Sequence, residues 1–347
     1  MRSGGRCVNE SQPLAGAPVA RVVVAGASGF AGALAAQLVW DHPRLELLAV
    51  TARSDVGSRL DRLYPRYRVP LALTELDMDV VGDADAAIVA YPHAASAPVV
   101  AEMRRRGLSV VDLSADFRLR DPDLYKQWYG PHPAPELIAE AAYGLTELNR
   151  EAVGEADLVA NPGCYPTAAM LALAPLAEQD LIADVVIDAK QGISGAGRGG
   201  GDEMHYVTLA ENAFPYKVEA HRHTPELEQS LRELGFSESV TFVPHLLPLD
   251  QGELVDCFVT PTRGIETEEL QSLYRERYAD EPFVRATERP PGVRDVRDTN
   301  ECHVHVAASG PKVVAIAAID NLWKGASSQA IQNLNVMLGL EETEGLR

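Results

Sequence analysis

The chain has 347 residues, 46% hydrophobic and 23% charged, an ordinary globular balance whose length exceeds one core and predicts two domains. Its 50 acidic against 31 basic residues give a formal net charge of −19, a field that repels phosphodiester backbones and anionic headgroups and excludes nucleic acid and membrane surfaces as expected partners. Four cysteines (Cys7, Cys164, Cys257 and Cys302) without C-x-x-C pairing, no apolar run near the ~20 residues that span a bilayer, and no apolar signal core predict a reducing, cytoplasmic setting.

Residues 1–19, rich in Gly, Ser, Pro and Ala, read as a disordered extension. Residues 20–25 form a β-branched run, followed at once by Gly26-Ala-Ser-Gly-Phe-Ala-Gly32 and a helical pattern over 33–39. Strand, glycine turn and helix in that order open a dinucleotide-binding βαβ unit. Further strands are predicted at 45–51, near 69–73, at 84–90, 108–113 and 158–160, with a helix over 94–106. This alternation predicts a Rossmann-type, doubly wound parallel sheet. Beyond residue 180, strand-like runs at 184–189, 240–249, 254–261, 303–308 and 313–319 dominate, with helices at 224–234 and 266–278. That grammar fits an α+β domain with a mixed or antiparallel sheet. The last helical pattern, 325–338, is expected to pack back on the first domain.

Three segments carry chemistry. In the glycine loop, Gly26, Gly29 and Gly32 remove side chains where a backbone meets a pyrophosphate, and a helix N-terminus follows; tight strand-to-helix packing would also use them. The second strand ends Thr51-Ala-Arg-Ser-Asp55, where Arg53 and Ser54 suit a ribose 2′-phosphate and favour NADP, although Asp55 lies close by. In Asn161-Pro-Gly-Cys-Tyr-Pro-Thr167, Pro166 suits a first helical turn, so Cys164 is expected at a helix N-terminus. There the dipole and free N–H groups favour a nucleophilic thiolate; a buried structural thiol is the alternative.

A nicotinamide cofactor beside an activated cysteine points to oxidation or reduction at the acyl level, which needs an acid/base and cations for an anionic substrate. His221-Arg-His-Thr-Pro-Glu226 offers the acid/base: His221 and His223 are both candidates, and the spacing to Glu226, which can orient an imidazole, favours His223. Arg118 suits a bidentate anion clamp with Asp116 orienting it, and Arg198 and Arg222 are further candidates.

These segments, with Asp112-Leu-Ser-Ala-Asp-Phe-Arg-Leu119, Tyr143-Gly-Leu145, Ser194-Gly-Ala-Gly-Arg198 and Asp320-Asn-Leu-Trp-Lys-Gly-Ala326, resemble the successive motifs of N-acetyl-gamma-glutamyl-phosphate reductases. The resemblance runs from about residue 21 to 338. It implies NADPH-dependent reductive dephosphorylation of N-acetyl-glutamyl 5-phosphate to the semialdehyde in arginine biosynthesis, by a homodimer or homotetramer with a semialdehyde dehydrogenase-like fold. It further implies a thioacyl bond on Cys164, proton relay by His223 with Glu226, and cofactor contacts from Gly26, Ala27, Ser28, Gly29, Phe30, Ala31, Ser194, Gly195 and Asn321. The implied division is an NADP-binding domain of 20–163 and 323–347 around a catalytic and oligomerisation domain of 164–322.

The alternatives are reduction of a related acyl phosphate, aspartyl or carrier-linked, and a non-enzymatic NADP-sensing module. Departures from the family pattern are Tyr91-Pro-His-Ala94 for Leu-Pro-His-Gly, Gly144-Leu-Thr-Glu147 for Gly-Leu-Pro-Glu, and Lys324-Gly-Ala-Ser-Ser-Gln329 for Lys-Gly-Ala-Ala-Gly-Gln. The last is expected to affect the cofactor, since serine replaces a glycine.

Overall fold

The structure, a computed structural model, describes residues 12, 14–199, 201 and 205–347. Cys7 and the extension up to residue 11 lie outside the described residues. The described part of the expected extension is tied down: the Gln12 amide donates to the carbonyls of Val39 (2.9 Å) and Leu45 (2.6 Å) and accepts from the Leu47 N–H. Three hydrogen bonds to strand and helix backbone replace the freedom that composition suggested.

Six strands, β1 (Ala20–Ala25), β2 (Leu45–Thr51), β3 (Ala86–Val89), β4 (Ser109–Asp112), β5 (Ala142–Tyr143) and β6 (Leu158–Ala160), form a wholly parallel sheet in the order β2-β1-β3-β4-β6-β5. Separate apolar clusters cover its two faces, which is why β1 and β3 are unbroken runs of Val, Ala and Ile apart from Arg21. The order of strand addition reverses at β1, with β2 on one side and β3 on the other, and a crevice opens beyond the carboxyl ends of β1 and β3.

The second sheet holds β7 (Ile182–Gly192), β8 (Phe214–Pro215), β9 (Thr241–Leu247), β10 (Glu253–Pro261), β11 (Val284–Ala286), β12 (Cys302–Ser309) and β13 (Lys312–Ile319) in the order β11-β12-β13-β10-β7-β9-β8. It is mixed: β10 runs antiparallel to β7 and β13, while β7 and β9 are parallel. Against it packs the helix Cys164–Ala177, buried at every residue after Cys164. Pro175 within that helix has no N–H for the Leu171 carbonyl, and the Tyr278 hydroxyl donates to it instead at 2.5 Å. The helix Ser328–Met337 returns to pack on the helices Phe30–Asp41 and Thr146–Glu155.

Three expectations change. The run at 69–73 makes no strand, only isolated bridges pairing Arg59 with Ala72 and Thr51 with Thr74. The helix expected over 94–106 spans Ala97–Arg105, because Ala94 sits at φ +64° and both the Ala94 and Ala97 N–H groups donate to the Asp116 carboxylate. Asp116 therefore caps this helix rather than orienting Arg118. The helices Pro122–Tyr129 and Thr146–Glu155 and the short β5 had no clear signal in the sequence pattern.

Candidate active site

A cavity of about 600 Å³ fills the crevice between the sheets. Gly26, Ser28, Gly29, Phe30, Ala31, Arg53, Ser54, Arg118, Cys164, Ser194, Gly195, Arg198, His223 and Asn321 all line it. Ala27, His221, Glu226 and Arg222 do not.

At one end the glycine loop crosses from β1 into the helix Phe30–Asp41. A Cβ at Gly26 (φ +91°) would lie 2.5 Å from the Ala90 carbonyl oxygen, and one at Gly32 would lie 2.3 Å from that of Gly26. These two glycines are thus demanded by the loop's own packing. Gly29 is the N-cap and supplies no side-chain cap, which leaves the helix N-terminus open to an anion. Arg53 lies over the Tyr91 ring at 4.9 Å and faces the cavity, while Ser54 Oγ is 3.1 Å from Ser28 Oγ. Asp55, whose closeness blurred the choice of cofactor, is paired at 2.5 Å with Arg198, which also donates to the Ser28 carbonyl. Arg198 is thereby placed across the cofactor loop. Asn321 Nδ2 donates to Ser194 Oγ and its Oδ1 accepts from the Gly252 N–H, fixing both predicted contacts. These groups fit a dinucleotide: a glycine turn held close by its own packing, a helix N-terminus without a side-chain cap, and a guanidinium.

At the other end Cys164 opens its helix after the Gly163 N-cap. Gln191 Nε2 donates to Cys164 Sγ at 3.0 Å. Room for that amide comes from Gly195, where a Cβ would sit 2.0 Å from Gln191 Nε2. The thiol is half-buried by exposed surface yet densely surrounded, and burial followed by the Glu253 carboxylate pushes its pKa well up. The Tyr165 N–H and Arg118 act in the opposite direction and lose. Burial thus works against the expected thiolate.

Glu226 also departs from expectation. It makes no hydrogen bond to His223; Oε1 accepts from the Gly163 N–H and the Tyr143 hydroxyl, both at 2.8 Å, and Oε2 pairs with Arg118 at 3.2 Å. As the third residue of the helix Thr224–Glu233 it points across to the cysteine loop. Arg118, 6% exposed, further donates to the carbonyls of Asn161 and Leu113, so it braces the site while one face meets the cavity. Arg222 lies outside, 5.2 Å over the Tyr129 ring.

His223 lines the cavity close to Gly163, where a Cβ would come within 2.6 Å of Nε2, and its Nδ1 is a buried nitrogen without a partner. Burial and the neighbouring His221, Arg118 and His93 hold its pKa well below the usual imidazole range, so it is neutral. His221 stands behind it, accepting from the His223 N–H, with Nε2 3.3 Å from the Tyr216 hydroxyl. The geometry makes His223 the cavity-facing imidazole. His93, Gln191 and Glu253 were not singled out beforehand; only the pairing of distant segments brings them here.

Residues 21–156 match the semialdehyde dehydrogenase NAD binding domain, and residues 164–321 match the semialdehyde dehydrogenase dimerisation domain. The N-acetyl-gamma-glutamyl-phosphate reductase of Desulforudis audaxviator is 46% identical over 94% of this chain and 97% of its own. Its counterpart in Moorella thermoacetica is 45% identical over 93% and 96%. This chain belongs to the N-acetyl-gamma-glutamyl-phosphate reductase family. Aspartate semialdehyde dehydrogenase II from Vibrio cholerae shares the fold, with a TM-score of 0.73 at 16% identity over 92% of this chain and 98% of that one. Aspartate semialdehyde dehydrogenase with NADP from Candida albicans superimposes with a TM-score of 0.67 at 15% identity over 92% and 98%.

Within this reductase family the departures noted in the sequence have structural replacements. Ala94 occupies a left-handed conformation that glycine adopts more readily. Thr146 donates to Asn333 Oδ1 at 2.8 Å. Ser328 is buried and donates to Asn300, outside the cavity, and Ser327 donates to the Ala31 carbonyl, tying the turn to the glycine-loop helix. Neither serine projects into the space where backbone meets a ligand.

Proposed function

We propose that this protein reduces N-acetyl-L-glutamyl 5-phosphate to N-acetyl-L-glutamate 5-semialdehyde with release of phosphate, using NADPH, through a thioacyl bond on Cys164. The observation that carries the reading is the placement of Cys164 at a helix N-terminus inside the dinucleotide cavity, with Gln191 on its sulfur and His223 facing the same space. The names of relatives at 45–46% identity supply the substrate and the arginine-pathway role.

Each residue has a task. Glu226 holds the Gly163 N–H and so fixes the backbone from which Sγ attacks the acyl carbon. The helix N-terminus, which carries no side-chain cap, turns the positive end of its dipole toward the oxygen on which negative charge develops. Arg118 keeps a positive charge near the leaving phosphate, held in place by its three protein acceptors. Neutral His223, which lines the cavity beside Gly163, exchanges a proton with the substrate oxygen as the tetrahedral species forms and collapses. When bound, the nicotinamide supplies the hydride.

Arg53 supports the preference for NADPH, since Asp55 is engaged by Arg198 and Arg53 faces the cavity. The match of residues 164–321 to a dimerisation domain supports a homodimer or homotetramer.

The test is phosphate-dependent NADP+ reduction with the acetylated semialdehyde, run in the reverse direction. Cys164→Ser should lower the rate by at least about 1000-fold, and the parent protein mixed with acyl phosphate alone should carry the acyl mass on Cys164. An unchanged rate in Cys164→Ser would overturn the reading, including against a cofactor-sensing module that needs no thiol.

A further inference from the structure

Behind Cys164, away from the cavity, lies a carboxyl group that the chemistry above leaves unused. Glu253 opens β10, in register with Gln191 of β7 on one side and Ile319 of β13 on the other. Both neighbours flank the cysteine: Gln191 donates to Sγ, and a Cβ added at Gly325 would touch Cys164 Cβ at 2.8 Å and Ile319 Cδ1 at 3.3 Å. Residues opposite one another on adjacent strands share a face, so Glu253 stands between the two side chains that enclose the nucleophile.

Glu253 is 0% exposed, and neither of its carboxyl oxygens has a hydrogen-bond partner. An ionised carboxylate in that position is unfavourable by several kcal/mol, and among the described residues no cation faces it to offset this. The titratable groups coupled to it are Cys164 and Tyr165 of the helix Cys164–Ala177, Asp320 after β13, and Cys302 of β12. Of these only the Cys164 thiol favours its ionised form, being close enough to couple although outside hydrogen-bond geometry. On the cavity side Arg118 faces the same thiol. A buried acid with no structural partner beside a buried thiol is an arrangement for holding a proton.

We propose that Glu253 and Cys164 form one proton-sharing pair, in which the carboxylate takes the thiol proton as Sγ becomes the nucleophile and returns it when Sγ is released. In the first step the S–H bond breaks and an O–H bond forms, with the pair's net charge unchanged. In the last, the C–S bond of the thiohemiacetal breaks, its electron pair returns to sulfur, and the Glu253 proton passes back to it. The proposal rests on Cys164 being the nucleophile, and it assigns the thiol proton to Glu253 while His223 serves the substrate oxygen.

Burial pushes Glu253 up to about 8 and the thiol higher still. Below that pH the pair holds two protons and is inert; above it one proton remains and either atom can carry it. Reactivity therefore rises with pH through about 8.

The experiment is alkylation of Cys164 by iodoacetamide in the full-length protein across roughly pH 6–10, without substrate, followed by mass spectrometry. The parent should show an inflection near pH 8. Glu253→Gln and Glu253→Leu, with folding checked by circular dichroism, should lose it, their reactivity climbing steadily with pH instead of levelling above about 8, while Glu253→Asp should keep it. A parent-like profile in Gln and Leu variants, or a parent without an inflection between about pH 7 and 9, overturns the pair. Because alkylation needs no substrate, that failure is distinct from retained activity in Cys164→Ser, which overturns the nucleophile itself.

Discussion

Glu226 accepts the backbone N–H of Gly163 at 2.8 Å, and through that bond holds the residue before Cys164 rather than the imidazole three residues behind it. The same carboxylate balances the buried Arg118 guanidinium. One side chain thus sets the nucleophile's backbone and a site cation together.

Removing it should be felt in stability as well as rate. Glu226→Ala leaves a buried, uncompensated guanidinium and should destabilise the protein by about 3–5 kcal/mol in urea unfolding. Glu226→Gln keeps an acceptor for the Gly163 N–H and should lose less stability than Ala, while kcat still falls. Equal unfolding midpoints for the two variants would contradict this account.

Gly195 and Gln191 should behave as one unit. A methyl at Gly195 must push aside the Gln191 amide, 2.0 Å away, and so remove the donor from Cys164 Sγ. Gly195→Ala and Gln191→Ala should therefore share a kcat loss of roughly tenfold, with the double variant no worse than the singles. A Gly195→Ala defect confined to the KM for NADPH would instead give Gly195 a direct cofactor role.

Arg53 is the test of cofactor choice. Arg53→Ala removes a charge-assisted partner of about 1.5–3 kcal/mol, so selectivity for NADPH over NADH should fall by roughly tenfold or more in kcat/KM. Arg198→Ala, which frees Asp55 beside the same pocket, should shift selectivity in the same direction by a smaller factor. Retention of full selectivity in Arg53→Ala would move the 2′-phosphate contact elsewhere.

His221 makes stability depend on acid. Burial, then Lys217 and Arg222, lower its pKa from the ordinary 6.5 to about 4 in the folded protein. The unfolded chain binds this proton first, so the contribution is complete above pH 6.5 and is lost as pH falls toward 4. Between pH 7.5 and 5 the unfolding free energy of the parent should drop about 1.5–2 kcal/mol more than that of His221→Gln. Parallel urea titrations at the two pH values measure this, and equal drops would place the effect on other groups.

Local chemistry was legible in the chain. Continuous β-branched runs, a glycine turn and proline-flanked Cys164 specify a parallel sheet, an open helix N-terminus and a cysteine beginning a helix, because strand burial, helix propagation and capping act over a few residues. Arg53, Ser194, His223 and Asn321 were also found from their motifs, and all face one cavity. The partners were not legible. Glu226 turns to Gly163, Asp116 to the helix at Ala97, Arg198 to Asp55, and Gln191 and Glu253 enter the site from strands that carry no motif.

The difference shows most clearly at Cys164. Its place at a helix N-terminus followed from Gly163 and Pro166 alone, and that place argues for a thiolate. Whether the proton leaves depends on how much water the packed sheet removes and on which charges it brings near. Those terms act through space, between residues as far apart in the chain as Arg118, Cys164 and Glu253, and only the tertiary structure sets them.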